Sequence, residues 1–168
     1  MERAELIELI EAAFDGVPQP PELTLHVAEA HDDYDYDRDA EHRRKDHIGR
    51  WQDVPWEHIE RCTCALSYLD PVGMRYYLPA HMVWYLKNFG STRVKFDSVL
   101  YLLGYEIGDA SSDSHFRDTF SLFSANQLRA CALFVKYCAE DETNWTDVEF
   151  ATQAYIHTWS RFESGGGW

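Results

Sequence analysis

Residues 122–138, LFSANQLRACALFVKYC, constrain the fold more than any other stretch. Ser124-x-x-Gln127 has capping-box form, in which two side chains satisfy the free N–H groups of a helix's first turn. The helix that follows is apolar on more than one side. Leu128, Cys131, Ala132, Val135 and Cys138 make one stripe, and Leu133, Phe134 and Tyr137 make the other. Such a helix has to be covered by other elements, so it belongs at the centre of a body.

The rest of the chain reads as helices that could do the covering. Leu6, Ile10, Ala13 and Phe14 follow helical spacing, which predicts an amphipathic helix over 2–15, ended by Asp15-Gly16. Pro55 fits a first helical turn, and Trp56, Ile59, Thr63, Leu66 and Leu69 then lie along one face. Asp97 is placed to cap a short helix over SVLYLL, ended by Gly104, with a buried strand as the alternative for so short an apolar run. Thr146-x-x-Glu149 is a second capping-box pattern, followed by Ala151, Tyr155, Thr158, Trp159 and Phe162 on one stripe. The expected fold is all-α, a compact single-domain helical bundle over 1–164, with GGGW at 165–168 as a flexible tail. GDASSDSH at 108–115 is a loop by composition.

Asp70 to Gly90, DPVGMRYYLPAHMVWYLKNFG, is the richest stretch in aromatic residues. Asp70-Pro71-Val72-Gly73 has turn chemistry. Leu78 precedes Pro79 and is biased away from the helical region, so 74–78 is expected to be short and extended. Pro79 then opens a helix through Phe89, with Gly90 where a left-handed cap belongs. This reads as a joint in the core. The competing reading is a pocket lined by Arg75, Tyr76, Tyr77 and His81.

Charge gives the first indication of partners. The chain carries 29 acidic and 15 basic residues, a net charge of −14. Nucleic acid and anionic membranes would be repelled, and no apolar run reaches the ~18 residues a membrane helix needs. The charge is also uneven. VPQPPEL at 17–23 cannot be helical, because its three prolines remove donors. From Glu22 to Glu41 there are then eight carboxylates and one base, Arg38, before RRK at 43–45. Residues 17–37 are expected to form a proline-rich, acidic arm or loop, with a polar helix from Arg38 toward Ile48. The bland reading of the acids is a solvated, self-neutralising loop.

Catalytic chemistry finds little support. No G-x-S-x-G elbow or phosphate-cradling glycine loop is present. Cys62, Cys64, Cys131 and Cys138 form no C-x-x-C pair and read as reduced core thiols. His26, His31, His42, His47 and His58 crowd the N-terminal third. However, the five-residue steps from His26 to His31 and from His42 to His47 match neither helix-face nor strand ligation. In WEHIE at 56–60, only His58 with a distant partner could ligate. No metal and no cofactor is expected.

Gly73 to Ala80 (G-x-R-Y-Y-L-P-A), FDSVLYLL at 96–103 and LFSANQLRACALFVKY at 122–137 resemble a family of small, uncharacterised bacterial proteins of unknown function. The resemblance covers about residues 51–140 and leaves the acidic segment outside it. It implies a helical cytoplasmic domain and no activity.

The reading that follows is a protein-binding module. Acidity, abundant aromatics and the missing catalytic kernel point to a cytoplasmic immunity-type protein that blocks a basic toxin domain. Asp32, Asp33, Tyr34, Asp35, Tyr36, Asp37, Asp39 and Glu41 would meet the partner's cations. The alternatives are a small metal-dependent enzyme using the N-terminal His and Asp residues, and a self-associating structural or regulatory subunit.

Overall fold

Ser124 and Gln127 open the central helix as their spacing predicts. The Gln127 backbone N–H donates to Ser124 Oγ (3.3 Å), and the Ser124 backbone N–H donates to Gln127 Oε1 (3.0 Å). The computed structural model describes residues 1–91, 98–104, 110–143 and 145–167, and among these it contains helices and turns but no strand. In chain order the helices are α1 (Arg3–Ala13), α2 (Leu25–Asp32), α3 (Asp39–Arg43), α4 (Trp56–Arg61), α5 (Pro71–Lys87), α6 (Ser98–Gly104), α7 (Ala110–Thr119), α8 (Ala125–Ala139) and α9 (Val148–Ala154). The central helix is α8. It buries Leu128 and the run from Ala130 to Val135, with α1 packed on it and α9 and the turns after α9 also against it.

The largest departure from the sequence reading is α5. Residues 74–78 are not extended, and Pro79 does not open the helix but lies inside it. The helix starts eight residues earlier, where Pro71 occupies the first turn and Asp70 Oδ1 accepts the Gly73 N–H at 2.7 Å. An interior proline costs about 3 kcal/mol. Against that, Tyr76, Tyr77, Leu78, Met82 and Leu86 are each essentially fully buried, at about 1.5–3 kcal/mol per side chain. Burial wins, and the local preference of Leu78 is overridden. Gly90 does take the left-handed conformation expected of it (φ 81°).

The N-terminal half is also more ordered than the sequence suggests. The proline-rich stretch has no regular structure, but residues 25–32 of the expected arm form α2 and bury Leu25, His26, Val27, Ala28 and Ala30. This helix packs on a 3₁₀ turn at Ala65–Tyr68 and on α3. The polar helix expected from Arg38 to Ile48 is only the five residues of α3. The helix expected to run from Pro55 to Leu69 breaks after Arg61, and Ala65–Tyr68 resumes as 3₁₀. Trp51 ties this region to α1, its indole N–H donating to the Phe14 carbonyl at 2.8 Å in the core.

At the C-terminal end, much of the stretch expected as a loop at 108–115 is the start of α7. The Thr146–Glu149 capping box does not form. Asp147 caps α9 instead, accepting the Phe150 N–H at 3.0 Å, while the Thr146 hydroxyl donates to the Cys138 carbonyl. A π turn at Tyr155–Trp159 follows α9 directly. It delivers Trp159 among Phe116, Phe120 and Phe162, with its indole N–H donating to the Leu103 carbonyl. Asp97 and Trp168 lie outside the described residues.

Candidate functional site

The proposed pocket around RYYLPA dissolves into separate structural contacts. Arg75 Nε donates to Gln127 Oε1 (3.0 Å), so it braces the cap of α8. The Tyr76 hydroxyl donates to the Gly49 carbonyl (2.8 Å), and its ring meets Tyr77 edge-on with centroids 4.7 Å apart. The Tyr77 hydroxyl faces the Leu25 backbone and the Gln19 side chain without a well-formed hydrogen bond to either. His81 is sealed in the core, with Nδ1 at 2.9 Å from the Tyr77 carbonyl. Burial pushes its pKa down to about 4, so the ring is neutral at pH 7 and Nδ1 is the donor.

The acidic segment forms a surface with two kinds of carboxylate. One kind is committed to the fold. Asp35 accepts from Arg38 and lies 2.9 Å from His42 Nε2. Arg38, then His42, hold its carboxyl below the usual range. Asp39 Oδ1 lies 2.9 Å from His31 Nε2, and Glu22 takes Arg43 at 2.8 Å. Glu29 accepts the Cys64 N–H at 2.9 Å, and burial raises its carboxyl pKa. The other kind is exposed: the side-chain carboxylates of Asp33, Asp37 and Glu41 make no hydrogen bond or ion pair among the described residues. Local neutralisation is therefore partial, and three outward charges remain.

Tyrosines stand among those charges. Tyr34 is 82 % exposed and Tyr36 56 % exposed, and Tyr36 leans on the His31 ring at 4.8 Å. Tyr68, on the 3₁₀ turn beneath α2, joins them. The Asp32 carboxylate beside it pushes its phenol up to about 12, with Tyr34 and Tyr36 adding to the effect. Sequence reasoning missed Tyr68, because only the packing of 65–68 against α2 brings it to this face. Tyr34 also has φ 59°, a left-handed conformation that side chains other than glycine and asparagine rarely adopt.

A second cluster gathers at the N-terminal end of α2. His26 Nδ1 is 2.8 Å from Asp46 Oδ1, and the His26 backbone N–H points at both Asp46 oxygens at 3.3 Å. The His58 ring stands edge-on to that of His26, centroids 4.7 Å apart. Burial, followed by the neighbouring His26, lowers the pKa of His58. The cluster does not use helix-face spacing, and His58 meets partners distant in sequence, the one arrangement the sequence left open to it. Asp46 went unnoticed in the sequence because it lies twenty residues from His26 and carries no motif. Cys62 and Cys131 are poor nucleophiles: burial pushes the Cys62 thiol up to about 12 and raises Cys131 as well.

No helix among the described residues is long and apolar enough to cross a membrane. No curated protein and no solved structure matches the chain. A family pattern does match, over residues 2–162, so the acidic segment falls inside the match and not beyond it. The chain belongs to DUF6714, a family of unknown function.

Proposed function

We propose that this chain is a cytoplasmic protein-binding module that covers a cationic surface of a protein partner, in the manner of an immunity protein on a basic toxin domain. The observation that carries the reading is the grouping of exposed Tyr34, Tyr36 and Tyr68 around Asp32, with Asp33, Asp37 and Glu41 free to pair outward. Tyrosine supplies a large amphipathic contact at low entropic cost and is frequent among interface hot spots. Carboxylates on the same face attract a basic partner at long range and fix its register. The rigid backing of α2, held by Leu25, Val27 and Ala28 in the core, means little ordering entropy is lost on binding.

Asp35 and Asp39 hold the segment's own shape through Arg38, His42 and His31, so they support the face and do not meet the partner. The test is co-expression and binding with the product of the gene adjacent to this one. The parent should bind and protect. The variant Asp33→Asn/Asp37→Asn/Glu41→Gln, which leaves the internal pairs intact, should lose most of both. Equal protection by parent and variant would sink the reading.

A further inference from the structure

His26, Asp46 and His58 come from three segments: the first turn of α2, the stretch after α3, and α4. One donor atom from each lies within 4.8 Å of the other two. Part of this arrangement has an ordinary explanation. The Thr24 side chain makes no cap hydrogen bond, and the Asp46 carboxylate takes over the N-terminus of α2 through the His26 N–H. That role does not account for His58. Its Nδ1 is buried with no hydrogen-bond partner among the described residues, near a carboxylate whose side chain is only 3 % exposed. The adjacent His47 likewise has a buried Nε2 without a partner among the described residues, although it lies outside the donor group. A buried imidazole nitrogen left unpaired is destabilising unless an ion or water takes its lone pair.

We propose that His26, Asp46 and His58 form a site for a divalent transition metal of the Zn²⁺ class. Two imidazole nitrogens and one carboxylate oxygen suit such an ion, whereas Ca²⁺ and Mg²⁺ prefer oxygen donors throughout. Bonds of about 2.0–2.1 Å in a tetrahedral site put donors about 3.4 Å apart. The present spacing brackets that value, the donors lying within 4.8 Å of one another and the His26–Asp46 contact opening from 2.8 Å. Entry of the ion moves the proton on His26 Nδ1 to Nε2 or out to solvent, and the freed nitrogen and the carboxylate become ligands. The three protein donors leave the fourth position to a water, and the ion pins α2 and the segment after α3 to α4. The proposal uses none of the outward residues, so it stands or falls independently of the partner.

The test uses the full chain without an affinity tag, stripped with EDTA and titrated with Co²⁺ and Zn²⁺. The parent should bind stoichiometrically, give the visible absorption of four-coordinate Co²⁺, and show a thermal midpoint that rises with Zn²⁺ and falls back with EDTA. His58→Ala and Asp46→Asn, checked for helical content, should weaken binding by more than about tenfold. His157→Gln, on the exposed end of the chain, should leave it unchanged. Absence of the Co²⁺ band in the parent overturns the proposal whatever the variants do. So does binding that survives in both ligand variants, which would mark adventitious surface histidines.

Discussion

Replacing His81 by asparagine isolates one buried titration. In the fold the imidazole is fully enclosed and its pKa is pushed from 6.5 down to about 4 by burial. The unfolded chain therefore binds a proton between those two values that the native state refuses, and stability is lost as pH falls through that window. At pH 5 the ratio of protonation factors is about 30-fold, which converts to about 2 kcal/mol relative to pH 8. Asparagine keeps a donor near the Tyr77 carbonyl, removes the titration, and leaves every other carboxylate and histidine in place. Its cavity lowers stability at both pH values alike, so the informative quantity is the difference between them. Urea unfolding at pH 8 and pH 5 should show the parent losing about 2 kcal/mol more than His81→Asn. The same pH dependence in both proteins would refute the argument and mean that His81 protonates in the native state at no cost.

Gly104→Ala tests the contact between α6 and α9: a Cβ there would sit 2.2 Å from Phe150 Cε1. The helix-propensity gain of about 1 kcal/mol should be outweighed by overpacking of about 1–3 kcal/mol, so the thermal midpoint should fall. Tyr34→Asn should leave stability unchanged or raise it by up to about 1 kcal/mol, since asparagine tolerates a positive φ, while weakening partner binding. Calorimetry and a binding titration on the same preparation check both parts.

Elements whose information is local were legible in the sequence. α1 and α8 carry their own apolar stripes, and Ser124 with Gln127 announces a start that forms as written. Elements fixed by burial were not. Pro79 reads as a helix opener, and nothing near it reveals that Tyr76, Tyr77 and Leu78 are all enclosed and hold the helix through it. In α2, flanking prolines and aspartates hid a short apolar run that becomes a helix only by packing on residues 65–68. The site follows the same rule. Tyr34 and Tyr36 stood out within the acidic run, but the separation of its acids into internal pairs and outward charges depends on where His31, Arg38, His42 and Arg43 lie. The arrival of Tyr68 and of Asp46 is tertiary altogether.

The central claim is that Asp33, Asp37, Glu41 and the tyrosines beside them engage a cationic protein, and its most direct test is a stopped-flow association rate. The adjacent-gene product would be mixed with the parent and with Asp33→Asn/Asp37→Asn/Glu41→Gln across a range of ionic strength. The account predicts a parent rate that falls steeply with salt, and a variant rate lower by about tenfold or more at low salt with a shallower slope. Identical rates and identical salt dependence for the two proteins would contradict it.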